Sequence, residues 1–110
     1  MNNVNIFRAK RGEGKTKWLA EKIKECSDAG FNCYYVGGDM SFGSVKEVYE
    51  AIFYERCPLK RSEESRSTQK NCFFTDEYFD NLVAIRMQQI GVHSYRDPWY
   101  ITMSAENFVN

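Results

Sequence analysis

Strand-like and helix-like segments alternate along the whole of this chain of 110 residues, and that alternation constrains the fold more than any other feature. "NVNIFRA" alternates Val4 and Ile6 with polar neighbours, which is the period of a strand. From Thr16 onward, Leu19, Ile23 and Cys26 recur at helical spacing, and Gly30 supplies a C-terminal stop, so a helix is expected over 16–29. "FNCYYVGG" is rich in aromatic and β-branched residues and ends in two glycines, the pattern of a buried strand entering a turn. Val45, Val48, Tyr49, Ile52 and Phe53 share one helical face, and Pro58 bars that second helix from running much beyond Cys57. "CFFTDE" is a short apolar run closed by two acids. Phe79, Leu82, Val83, Met87 and Ile90 mark a third helix closed by Gly91, and "PWYITMSA" supplies a fourth strand after Pro98. Leu59 to Asn71 is polar and mixes both charge signs, so it is expected to be a solvated, structureless loop and not a domain linker.

The order β-α-β-α-β-α-β predicts an α/β fold in one domain, residues 1–110. It would be a three-layer α-β-α arrangement around a small, mostly parallel sheet of about four strands. Hydrophobic residues make up 43% of the chain and aromatics 15%, enough for a real core. Lys and Arg balance Asp and Glu at a formal net charge of zero, so net charge gives no indication of nucleic-acid binding. No stretch approaches the ~20 apolar residues of a membrane span, and "MNNVNIFRAK" lacks the pattern of a secretion signal. A cytoplasmic protein is expected, in the host cytoplasm if the source is viral. Cys26, Cys33, Cys57 and Cys72 show no C-x-x-C spacing, and His93 is the single histidine. They are expected to be reduced, partly buried thiols and not zinc ligands.

The segment "AKRGEGKT" carries the chemistry. Ala9, Lys10, Arg11, Gly12, Glu13, Gly14, Lys15 and Thr16 fit [AG]-x-x-x-x-G-K-[ST] between a strand and a helix. Such a loop curls so that backbone N–H groups point at phosphate oxygens, and glycine permits the dihedrals this needs. The following helix adds its partial positive charge. Lys15 would reach the β- and γ-phosphates from a solvent-facing loop, and the Thr16 hydroxyl would hold Mg²⁺. The plainer alternative is a turn that starts a helix and bears a surface lysine.

A triphosphate site also needs a carboxylate near the metal. Asp76 and Glu77 directly follow an apolar run, and at the carboxyl end of a parallel strand they would stand beside the phosphate loop. Asp76 is the candidate for Mg²⁺ through water, and Glu77 the candidate for activating the attacking water. The plainer alternative makes them an acidic start to the third helix.

On these residues the chain resembles the P-loop NTPase superfamily, in its branch with an additional catalytic glutamate. The order of elements extends the likeness over almost the whole chain and implies a minimal P-loop NTPase fold. "RGEGKTKWLAEKI" is similar to the loop and helix of phage DNA-packaging ATPases, which implies that Arg11 touches the γ-phosphate. The same branch implies a polar γ-phosphate sensor at the end of the last strand, where Ser104 fits slightly better than Thr102. It also implies a strand order of "FNCYYV", "CFFT", "WYITMS", "VNIFRA". Asn5 to Arg8 would then form an open edge, inviting a protein partner or self-association. Ala9 departs from the glycine more often found at the start of the loop. No guanine-reading motif is present, and neither the usual fifth strand nor a nuclease domain is expected within these 110 residues.

Smaller features have plainer readings. Asp39 follows the second strand as an acid does in thymidine kinases, but the paired cysteines of that family's zinc lasso are absent. Arg86 and Arg96 are expected to be solvated charges before trans-acting fingers, and His93 a loop residue. Lys60, Arg61, Arg66 and Lys70 are diluted by Glu63 and Glu64 as a nucleic-acid grip. Trp18 and Trp99 are expected to pack, partly buried. The resulting expectation is an ATP-binding, Mg²⁺-dependent ATPase in a nucleic-acid-related process, such as a phage one. The alternatives are a non-catalytic nucleotide-binding module that engages a larger ATPase, and a nucleoside or nucleotide kinase.

Overall fold

A computed structural model describes residues 4–66, 68–76 and 97–104. Within them the chain runs β1 (Val4–Ala9), α1 (Lys15–Asp28), β2 (Asn32–Tyr35), α2 (Asp39–Phe53), β3 (Lys60–Arg61), a 3-10 turn (Ser62–Glu64), β4 (Asn71–Thr75) and β5 (Trp99–Ser104). The strands form one parallel sheet in the order β1-β5-β4-β2-β3. From β2 to β1 this is the order expected from the sequence. The protein is thus a small α/β protein with a parallel sheet.

Two expectations are corrected. Among the described residues the sheet has five strands and not about four, because Lys60 and Arg61 pair with Tyr34 and Tyr35 along the outer side of β2. Accordingly the stretch after Leu59 is not structureless: it holds this strand and the turn at Ser62–Glu64. Both strand residues are exposed, so no apolar alternation announces them. The second helix also starts earlier than its apolar stripe, at Asp39, because its first turn is held by Gly38, whose carbonyl accepts from the Phe42 N–H at 3.0 Å.

Strand alternation splits the core between the two faces of the sheet. On one face, Cys33, Tyr35, Cys72 and Phe74 pack with Leu19, Ala20 and Ile23 of α1 and Val45 and Tyr49 of α2. On the other, Tyr34, Val36, Phe73, Trp99 and Ile101 form a second buried cluster, with Phe73 stacked on Trp99 at 4.9 Å. Every residue of β4 is buried, as befits a central parallel strand. At ~1.5–3 kcal/mol for each fully buried large side chain, Phe73 and Phe74 are major anchors. Both described helices pack on the first face. The third helix expected over Phe79, Leu82, Val83, Met87 and Ile90 lies outside the described residues.

α1 ends where Gly30 turns at φ +91° and the Phe31 N–H donates to the Cys26 carbonyl at 3.0 Å. Glu55 ties the two helices together, accepting from the Tyr49 hydroxyl at 2.7 Å and the Lys24 ammonium at 3.0 Å. Those two donors hold its carboxyl below the ordinary glutamate range. All four cysteines are free and buried, and burial pushes the Cys33 thiol up to about 12, as suits an inert core residue. Among the described residues, no helix is long and apolar enough to cross a membrane.

Candidate functional site

Parallel strands deliver their last residues to one end of the sheet, and the loop residues, Asp76 and Thr102 all gather at that carboxyl end. Ala9 closes β1 and is buried, whereas Lys10 to Gly14 are exposed. The loop makes a tight turn: the Glu13 N–H donates to the Lys10 carbonyl at 3.1 Å, and the Lys10 N–H donates to the Glu13 carboxylate at 2.7 Å. Gly12 and Gly14 take left-handed conformations at φ +81° and +88°, which side chains other than glycine rarely adopt. Gly14 is also the N-cap of α1 and offers no side-chain cap, so the first N–H groups of the helix have no side-chain acceptor there.

Lys15 differs from expectation. Its side chain is not solvent-facing but 7% exposed, the first residue of α1. It curls back over the loop, and its ammonium donates to the carbonyls of Lys10 at 3.3 Å and Ala9 at 3.5 Å. These long bonds to neutral acceptors give a charged group only part of the partnership that an anion would supply.

Beside the loop, Thr16 and Asp76 meet although 60 residues apart in the chain: the Thr16 hydroxyl donates to Asp76 Oδ2 at 2.9 Å. The hydroxyl of Thr102 donates to Asp76 Oδ1. The backbone N–H of Asp76 donates to the Tyr35 hydroxyl at 3.4 Å. One helix and one strand, α1 and β5, therefore meet on the Asp76 carboxylate, and β2 contacts the backbone beneath it. A hydroxyl and a carboxylate side by side are the hard oxygen donors that Mg²⁺ prefers, with phosphate oxygens and water completing its shell. Among the described residues, no group of three or more His, Cys, Asp or Glu forms a metal cage by itself.

Ser104 lies beside Ala9, the last residue of β1, its partner in the β1–β5 register. Thr102, the less favoured choice on sequence grounds, is the residue whose hydroxyl meets Asp76. Register explains the difference: Thr75 of β4 aligns with Ile101, so the residue after Thr75 comes level with Thr102. Tyr35 was not singled out from the sequence, and no local signal could have found it, because its contact with Asp76 spans 41 positions.

The remaining candidates divide simply. Glu77, Arg86, His93 and Arg96 lie outside the described residues. Asp39 is an exposed residue that accepts a hydrogen bond from Arg61. Arg66 donates to the backbone carbonyls of Glu64 and Ser65, and Lys70 sits over the Phe31 ring at 4.8 Å. Three of the four basic residues of the polar stretch thus have partners within the chain. Trp18 stacks on Phe7 at 5.2 Å, and Trp99 is fully in the core at 4% exposure, more buried than expected.

Comparison with family models, with curated proteins and with solved structures returns no match for this chain.

Proposed function

We propose that the chain binds ATP with Mg²⁺ through residues 9–16 and hydrolyses it slowly, in the minimal P-loop manner that its sequence resembles. The observation that carries this reading is the buried Lys15 ammonium, curled onto the Ala9 and Lys10 carbonyls beside a Thr16–Asp76 pair. The first turn of α1 supports it. That turn contains Lys15 and Lys17 and no acid. Two cations within that turn oppose the helix dipole, and a bound anion would relieve them.

In this reading the loop N–H groups and Lys15 bind the phosphates and offset the charge that develops on them. Thr16 and Asp76 would hold the metal, which supplies further charge neutralisation when bound. Glu77, next along the chain from Asp76, would orient the attacking water and take its proton. Ser104 and Thr102 are the candidate γ-phosphate sensors, and Thr102 also holds the carboxylate. A nucleic-acid-related process, phage or otherwise, is the setting that the sequence resemblance implies.

One feature favours a second reading, a nucleotide-binding module that engages a larger machine. Among the described residues β1 pairs only with β5, and its Val4 and Ile6 side chains are 39% and 45% exposed. An apolar edge strand is a template for a partner's strand.

Titration calorimetry with Mg-ATP tests the binding. Lys15→Ala is expected to weaken it by a few kcal/mol, because a charge-assisted contact to phosphate is lost. Unchanged affinity would overturn the phosphate-site reading. Steady-state turnover then separates the two readings. Glu77→Gln is expected to keep ATP bound and slow hydrolysis ~10²-fold or more, whereas a wild type that binds without turnover supports the module.

A further inference from the structure

Asp76 stands one residue past the last ladder pair of β4, Thr75 with Ile101. Its carboxylate oxygens are engaged by Thr16 and Thr102, but those contacts fix the carboxylate only if the backbone beneath it is fixed as well. That backbone contact comes from β2. Tyr35, the last residue of β2 and 3% exposed, accepts the Asp76 N–H on its hydroxyl at 3.4 Å.

The surroundings of the Tyr35 ring hold it in that position. On one side it packs against Phe42 of α2, with ring centroids 5.7 Å apart. On the other it lies so close to Gly37 that a Cβ there would come within 2.7 Å of ring Cε2 and 3.2 Å of the hydroxyl. Gly37 also has φ +154°, at the border of the region that favours glycine. The adjacent glycines Gly37 and Gly38 thus have a specific use: the first leaves room for this ring. Farther back, the Val36 N–H donates to the Phe74 carbonyl at 2.9 Å, which locks β2 to β4 up to the turn.

We propose that Tyr35 is a positioning residue for the metal-binding carboxylate, acting through the Asp76 amide, and that Gly37 is a glycine because Tyr35 needs the space. The proposal rests on the phosphate-site reading above. Tyr35 touches neither nucleotide nor metal in it. Its hydroxyl restrains the peptide leading into Asp76, so that the carboxylate is presented towards Thr16. The bond is long, so its loss should be felt on the scale of one ordinary hydrogen bond and not of a lost ligand.

Tyr35→Phe removes the hydroxyl and keeps the ring, so the fold should be preserved; the melting temperature checks this. The experiment is a titration of fluorescent ATP at fixed protein and varied Mg²⁺, together with metal-free ATP binding and amide exchange at Asp76. In Tyr35→Phe the Mg²⁺ midpoint should rise roughly three- to tenfold while metal-free ATP affinity stays within about twofold, the scale of one hydrogen bond. The Asp76 amide should exchange faster. Gly37→Ala, which displaces the ring, should shift the Mg²⁺ midpoint in the same direction. An unchanged Mg²⁺ midpoint in Tyr35→Phe overturns the assignment. So does an equal loss with and without metal, which would mark a merely structural residue. A wild type that binds no ATP at any Mg²⁺ concentration overturns the phosphate-site reading, and this assignment with it. The two failures are therefore distinguishable.

Discussion

α1 and α2 start at the same end of the sheet, and each starts from a glycine, Gly14 or Gly38, that offers no side-chain cap. From there they diverge. The first turn of α2 contains Asp39, the charge a helix N-terminus prefers, and Asp39 is itself bound by Arg61. The first turn of α1 contains no acid, and its two lysines oppose the dipole. Gly38 is extended at φ −80°, a conformation open to any residue, whereas Gly14 is left-handed at φ +88°. The acid at the α2 N-terminus lies within the helix itself, whereas the carboxylate that meets the start of α1, Asp76, comes from the end of β4 and accepts from Thr16. Among the described residues the first turn of α1 itself carries only basic charge, and its N-cap has a conformation that only glycine adopts easily. The difference is why the proposed anion is expected at α1, and it makes α2 an internal control.

The largest test of that contrast is ligand stabilisation. Mg-ATP at a hundred times its dissociation constant should raise unfolding free energy by about 2.7 kcal/mol, the mass-action value for one site on the native state. Asp39→Ala should retain the whole gain, and Lys15→Ala should lose it. Chemical denaturation with and without nucleotide provides the measurement. A gain that survives Lys15→Ala would remove the anion site from α1 and break the comparison.

The two capping glycines provide the next test. Gly14→Ala should destabilise the apo protein by roughly 1–2 kcal/mol, the cost of a left-handed L-residue. Steric crowding does not contribute, since a Cβ at Gly14 meets nothing within 4 Å. Gly38→Ala should stay within about 0.5 kcal/mol of wild type, because the loss of unfolded-state entropy offsets alanine's poorer capping. Equal effects at the two positions would show that backbone conformation does not distinguish the two helix starts.

What could be foreseen from the sequence follows the same division between local and long-range information. The glycine spacing of the loop, the apolar faces of both helices and the aromatic β2 are local patterns, and the elements they predict are found. α1 spans 15–28 against an expected 16–29. The start of α2 was hidden because its first turn contains Asp39 and the 88% exposed Met40, which belong to no apolar stripe. β3 was hidden because two exposed polar residues have no period. Within the site, Thr16 and Asp76 were legible as motif members, whereas the choice of Thr102 over Ser104 depended on β4–β5 register. The burial of Lys15 depended on how the loop curls, and the Tyr35 contact on β2 lying beside β4. None of these three has a local signature. The place of β1 at the end of the described sheet was legible, but the exposure of Val4 and Ile6 was not, because alternation alone does not say whether a strand face is covered.

The smallest effect is also the sharpest test, because it has two signs. Lys17 is exposed in the first turn of α1, one residue beyond Thr16. Replacing it with glutamate puts an acid where the helix dipole favours one and removes a cation from beside Lys15. Without ligand, Lys17→Glu should therefore stabilise the protein by about 0.3–1 kcal/mol, the usual scale of a charge at a helix end. With ligand the same charge faces phosphate, so Mg-ATP affinity should fall by a comparable amount. Both effects should shrink as salt is raised, since an exposed charge is screened beyond about 10 Å at 0.1 M ionic strength. Denaturation of the apo protein and calorimetric titration at two salt concentrations read the two signs separately. At α2 the residue with the opposite history is Asp39: Asp39→Lys should cost apo stability and leave nucleotide affinity unchanged. If Lys17→Glu instead moved stability and affinity in the same direction, the basic first turn of α1 would be a packing feature and not the open half of an anion site.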